Sequence, residues 1–130
     1  VSRSRDDRHV HRRDQAMALM QEYGFTVRPD REGEFQEWLR SNEEQLRTSV
    51  PEGIRYVGTY GVAFSSEKDA GSHRLFLELD SYGSIDVFST AMQDAGSEFG
   101  RLLREYYAFV ADDPAPSSLS LYRSFTDMFI

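Results

Sequence analysis

A chain of 130 residues with 39% hydrophobic and 13% aromatic side chains is expected to form one domain with a real core, and none of its apolar runs reaches the ~20 residues that span a bilayer. The absence of cysteine excludes disulfides, thiolate catalysis and thiolate metal sites, and fits a cytoplasmic protein. Of the 15 basic and 22 acidic residues, five arginines and three aspartates lie within positions 1–15; the rest of the chain holds 10 basic and 19 acidic groups, a net −9 that repels nucleic-acid backbones.

Residues 1–20 read as a mobile leader and 21–130 as the single domain. The leader lacks apolar periodicity, and His9 and His11 are too few ligands for a metal centre, so no metal is expected. Gln21 to Pro29 alternates as a strand with Tyr23, Phe25 and Val27 on one face. Asp30 is placed to cap a helix whose first turn carries Glu32 and Glu34, where the helix dipole favours negative charge. The helix runs to about Ser49 with an inward stripe of Phe35, Trp38, Leu39, Asn42 and Leu46. Pro51 and Gly53 end it. A second strand follows from Ile54 to Phe64, with the even residues Ile54, Tyr56, Gly58, Tyr60, Val62 and Phe64 on its larger face; Gly58 and Gly61 inside it suit a bulge or a close approach.

Ser65 to Ser72 is a solvent loop. The third strand, His73 to Asp80, sets Leu75, Leu77 and Leu79 against Arg74, Phe76, Glu78 and Asp80. A glutamate in mid-strand calls for an arginine on a partner surface, with Arg28, Arg55, Arg74 and Arg123 as candidates. Asp80 or Ser81 is placed to cap a second helix, Tyr82 to about Gln93, with Ile85, Phe88 and Met92 on one stripe. Gly96 breaks the pattern. Ser97 and Glu98 open a third helix that turns Phe99, Leu102, Leu103, Tyr106, Phe109 and Val110 inward until Asp112-Asp113-Pro114. Leu119 to Phe125 is the last strand, and Met128, Phe129 and Ile130 suggest a docked C-terminus.

Strand, helix, strand, strand, helix pair, strand is the order of an α+β, ferredoxin-like βαββαβ fold: a four-stranded antiparallel sheet with its helices on one face. The other face carries Phe76 and needs cover. A second copy packing the same face across a two-fold axis supplies it, with Arg28, Phe76 and Glu78 at the homodimer interface.

The Pro29 strand exit followed by Phe35, the Val-Pro-Glu-Gly-Ile-Arg-Tyr-Val-Gly-Thr-Tyr passage at 50–60, the Glu78-Leu-Asp step into a helix and the Phe99-Gly-Arg-Leu-Leu helix together resemble the dimeric α/β-barrel superfamily, particularly its NIPSNAP-like members, over Tyr23 to Phe125. The resemblance implies two ferredoxin-like subunits with sheets back to back, and a ligand cleft between helices and sheet in each. It also implies a range of activities: cofactor-independent monooxygenases, haem-degrading monooxygenases, muconolactone isomerases, polyketide cyclases and proteins with no known activity. Haem degradation in such proteins uses a helical histidine. None of the three histidines falls in an expected helix, so neither haem nor any other cofactor is expected.

Cyclase, isomerase or cofactor-free oxygenase chemistry needs a general base and a donor to an enolate or phenolate oxygen inside an apolar cleft. His73 is the candidate base, with Tyr56 and Tyr60 as catalytic donors. Trp38, Asn42, Arg74 and Tyr106 are the candidate ligand-binding residues, Arg74 as an anion clamp and Tyr106 as a further donor. Core packing is the plainer account of Trp38 and the tyrosines, and a place at the edge of the apolar stripe that of Asn42. No nucleophile motif or phosphate loop is present. The expectation is a small-molecule binder or cofactor-independent enzyme acting on an apolar, aromatic ligand between helices and sheet. The alternative is a non-catalytic homodimerisation module. A cleft lined by Trp38, Tyr56, Tyr60 and His73 separates the two.

Overall fold

Alternating apolar residues draw four short strands together. The computed structural model describes residues 18–127, in which β1 (Leu19–Phe25), α1 (Glu32–Ser49), β2 (Ile54–Gly61), β3 (His73–Leu79), α2 (Gly83–Gln93), α3 (Glu98–Tyr107) and β4 (Ser118–Arg123) follow in order. The sheet runs β2-β3-β1-β4 with every neighbouring pair antiparallel. Two crossovers that carry helices and one β2–β3 hairpin make this the ferredoxin-like α+β fold. The leader up to residue 17, with His9 and His11, and the C-terminal Met128, Phe129 and Ile130 lie outside the described residues.

The helices cover one face of the sheet. Phe25, Tyr56, Leu75 and Leu77 from the strands meet Phe35 and Leu46 of α1 and Phe99, Leu102, Leu103 and Tyr106 of α3 in one buried cluster. Each large apolar side chain buried this way contributes about 1.5–3 kcal/mol. Leu19, Ile54 and Leu79 extend the core at the other end of the strands. Close approach makes Gly100 obligatory: a Cβ there would sit 2.1 Å from the Ala91 carbonyl oxygen, so α2 and α3 touch at this point.

That contact explains why α2 departs from the expected stripe. It buries Ser84 and Ala91, small residues that let it lie close, and leaves Ile85 exposed. Neither Asp80 nor Ser81 caps it; Tyr82 is its N-cap and makes no side-chain cap bond. At α1 the N-cap is Arg31 rather than Asp30, and its guanidinium bonds Glu34 at 2.8 and 3.0 Å. Ser97 does cap α3, its Oγ accepting from the Gly100 N–H at 3.0 Å.

The strand ends also shift. β1 starts at Leu19, so Leu19 and Met20 belong to the sheet rather than to the leader. It ends at Phe25, because Val27 is drawn into a separate bridge with Val110 beyond α3. β2 stops at Gly61, leaving Phe64 exposed beyond it.

The larger correction lies within β2. Tyr56 pairs with Leu77, but Gly58 pairs with Phe76, Thr59 with Leu75 and Tyr60 with Arg74, so one extra residue is inserted at Val57. A bulge reverses the faces of everything after it. Thr59 therefore joins Tyr56 on the helix side, and Tyr60 moves to the open side, where its ring packs on Phe76 at 5.7 Å.

The open face is not simply apolar. Glu78 takes its arginine from the neighbouring strand of the same chain, Arg55, at 2.9 Å, and no partner subunit is needed to neutralise it. Arg74 lies 3.2 Å from Glu22, which also accepts from the Tyr122 hydroxyl at 2.6 Å.

Candidate functional site

Where β2 ends at Gly61 and β3 begins at His73, the first turns of α1 stand off the sheet and leave a cleft of about 490 Å³. Phe35 and Leu39 give it an apolar wall; Glu32, Gln36, Thr59 and His73 add polar groups. Gly33 of α1 and Gly61 of β2 also line it, and a Cβ on either would meet nothing within 4 Å.

His73 reaches this side of the sheet because it pairs with Phe25, whose ring also faces the helices. Its imidazole stacks on Phe25 at 5.4 Å and meets Phe35 edge-on at 6.2 Å. Nε2 lies 3.6 Å from Glu32 Oε1, whereas Nδ1 is buried with no hydrogen-bond partner among the described residues. Burial pushes its pKa below the ordinary histidine value; the Glu32 carboxylate pulls it back up and Arg74 adds to the lowering. His73 is therefore neutral at pH 7.

Beneath the cleft runs a chain of hydroxyls. Tyr56 Oη donates to Glu43 Oε2 at 2.9 Å, and Thr59 Oγ1 lies 2.6 Å from Tyr56 Oη and 2.8 Å from Tyr106 Oη. A carboxylate only accepts, so the Tyr56 proton is committed to Glu43; Thr59 must then donate to Tyr56, and Tyr106 to Thr59. Burial pushes both phenols far above the ordinary tyrosine value, so they stay neutral.

Of the expected site residues, the fold brings His73 and Tyr60 to the cleft, Tyr60 with its ring turned to Phe76. Tyr56 and Tyr106 are buried and their protons are spent inside the hydroxyl chain. Trp38 packs against Tyr106 and Phe109, and its Nε1 donates to Glu105 at 3.0 Å. Asn42, in the middle of α1, donates to the Trp38 carbonyl one turn earlier in its own helix at 2.8 Å. Arg74 is no anion clamp for this cleft. It pairs across β2 and β1 with Tyr60 and Gly24 on the open face, and its Nη1 is engaged by the Ala70, Gly71 and His73 carbonyls. Phe76 and Glu78 do lie on the open face, whereas Arg28 sits beyond β1, its N–H bonded to the Phe109 carbonyl and its guanidinium 3.5 Å from Asp112.

Sequence reasoning missed Glu32, Gln36 and Thr59 as cleft residues. Glu32 was legible only as a helix-dipole residue. Thr59 was hidden by the bulge, for which Gly58 was the available signal.

A second groove, about 470 Å³, crosses the open face between Phe64, Arg74 and Tyr122. Its central polar groups, Glu22, Arg74 and Tyr122, are already paired with one another. Among the described residues no group of three or more histidines or acids is placed to hold a metal ion, and no helix is long and apolar enough to cross a membrane.

No family model matches the chain, and no curated protein matches it. Solved structures do. A NIPSNAP family protein from Agrobacterium tumefaciens superposes with a TM-score of 0.58 at 8% identity, covering 85% of this chain and 90% of that one. An uncharacterised NIPSNAP-like domain protein from Burkholderia xenovorans gives 0.54 at 13% identity, covering 85% and 89%. A candidate antibiotic biosynthesis monooxygenase from Nitrosomonas europaea gives 0.51 at 16% identity, covering 84% and 99%. At such identities the shared property is architecture: this chain has the ferredoxin-like fold of NIPSNAP family proteins.

Proposed function

We propose that this chain binds a small apolar molecule in the cleft between α1 and the Gly61–His73 end of the sheet. The observation that carries the reading is an open space of about 490 Å³ beside the core, with an apolar wall and a half-buried histidine facing a carboxylate. Its size falls in the range of small-molecule sites, which pair apolar walls with a few polar groups. The fold shared with a candidate antibiotic biosynthesis monooxygenase supports a small-molecule role and supplies no reaction. The test is native mass spectrometry of protein purified from its own host, with Gly33→Trp beside it. Retained mass in the wild type that Gly33→Trp loses supports the cleft; retained mass in both places the ligand elsewhere.

The protein works as a homodimer through its open sheet face in this reading, since Tyr60 and Tyr122 are exposed there beside the half-buried Phe76. Light scattering should give twice the chain mass at micromolar concentration and a monomer for Phe76→Asp. A monomeric wild type would remove the dimer. The second reading, an assembly module without a ligand, is favoured by one observation: the hydroxyls of Tyr56 and Tyr106 serve internal bonds instead of a substrate. A clean dimer with no bound mass would shift the conclusion to it.

A further inference from the structure

Resting on the ligand-cleft reading, we infer that His73 serves the cleft as a hydrogen-bond donor through Nε2–H, and that Glu32 rather than His73 is the base. The neutral imidazole carries a single ring proton, on Nδ1 or on Nε2. On Nδ1 it would be an N–H sealed against the aromatic rings with no acceptor among the described residues. Orphaned buried N–H groups are rarer than unused lone pairs, because a donor without an acceptor forfeits its whole hydration. On Nε2 the same proton faces Glu32 Oε1 at 3.6 Å, along the attraction of a carboxylate. The Nε2–H tautomer is thus selected by burial on one side of the ring and by charge on the other.

A ring that presents N–H to the cleft takes no proton from it, since its free lone pair is on the sealed side. Glu32 can. Its side chain is 63% exposed and its Oε1 stands beside His73 in the cleft, within reach of both a ligand and water. Thr59 offers no competing donor, because its hydroxyl proton is held by Tyr56. The charged groups around His73 are Glu32 on α1 and Arg74 beside it on β3.

The pair fits a ligand with a carbonyl or phenol oxygen against Nε2–H and an acidic hydrogen against Glu32. The ligand C–H or O–H bond breaks, the proton forms an O–H bond on Glu32, and the electron pair stays on the ligand oxygen under the Nε2–H bond. Return of that proton to another ligand atom completes an isomerisation without an outside reagent.

The test reads the ring directly. Long-range 1H–15N correlation of histidine-labelled protein at about pH 8, above the ordinary histidine titration, should show His73 protonated at Nε2 with a bare Nδ1. A Nδ1–H ring would overturn the inference. Titration with 2-naphthol, followed through the amides of Gly33, Thr59 and Gly61, supplies the ligand arm. Affinity should fall about tenfold in His73→Ala, the loss of one hydrogen bond, and be largely kept in His73→Gln, which retains an N–H donor. Equal loss in both variants, with amide spectra otherwise unchanged, would overturn the donor role. No shift at any of the three amides would overturn the cleft reading itself, whatever the tautomer.

Discussion

The two faces of the sheet are stabilised by different physics. On the helix side Phe25, Leu77, Leu102 and Tyr106 are wholly buried, and stability comes from the apolar area they remove from water. On the open side the strand centres carry Glu22, Arg74 and Glu78, each neutralised within the chain. Shape alone does not make a face part of the core. The helix side needs its rings to fit; the open side needs its charges to match.

The largest effect that tests this contrast is Phe25→Ala. Deleting a fully buried ring should cost about 3–5 kcal/mol in urea unfolding, whereas Phe64→Ala, at a ring 92% exposed, should change stability by less than about 0.5 kcal/mol. A comparable cost at both positions would mean that the open end of the molecule is covered in solution.

Arg74→Ala comes next. Its side chain is 8% exposed, ion-paired with Glu22 and bonded to three carbonyls, so truncation strands a carboxylate and loosens the 70–73 turn. The expected loss is about 3 kcal/mol. Replacing both partners, as Arg74→Met with Glu22→Met, should recover much of it, because an apolar pair leaves no charge behind. If the double variant is no better than the single one, the pair acts through its hydrogen bonds to the turn rather than through charge.

How much of this was legible follows from the same contrast. The helix face could be read because Leu75-x-Leu77-x-Leu79 and Phe99-x-x-Leu102-Leu103-x-x-Tyr106 carry the periods of a half-buried strand and an amphipathic helix. The fold followed from the order of elements, strand, helix, strand, strand, helix pair, strand. The open-face pairing was only half visible: Glu78 asked for an arginine, but which of several met it depended on register, and register fixes Arg55 opposite Glu78. The cleft was least legible. It depends on a one-residue bulge that sends Thr59 inward and Tyr60 outward, and on α1 leaving room beside Gly33; alternation alone gives no account of either.

A middle-sized effect isolates the hydroxyl chain below the cleft. Thr59→Val removes the acceptor of the wholly buried Tyr106 hydroxyl and should cost about 1–3 kcal/mol, the penalty of an unsatisfied buried donor. Tyr106→Phe removes that donor and leaves Thr59 bonded to Tyr56, so about 1 kcal/mol is expected. The double variant should cost less than the sum. Full additivity in thermal or urea unfolding would show that the two hydroxyls do not share a bond.

The smallest effect concerns His73, which is partly compensated by Glu32. Its folded pKa is depressed by burial. Above the ordinary histidine value of about 6.5 neither folded nor unfolded His73 is protonated, and its burial carries no pH-dependent penalty. As pH falls through about 6.5 the unfolded chain binds a proton that the folded ring refuses, so stability falls until the folded pKa is passed and then levels off. His73→Gln should therefore flatten the curve of unfolding midpoint against pH on the acid side of neutrality. Glu32→Gln should steepen it, since the carboxylate is what holds the His73 pKa up. Coincident curves for wild type and His73→Gln would mean that the ring is open to water, and its tautomer would then be the ordinary preference of histidine in water rather than a choice made by burial and Glu32.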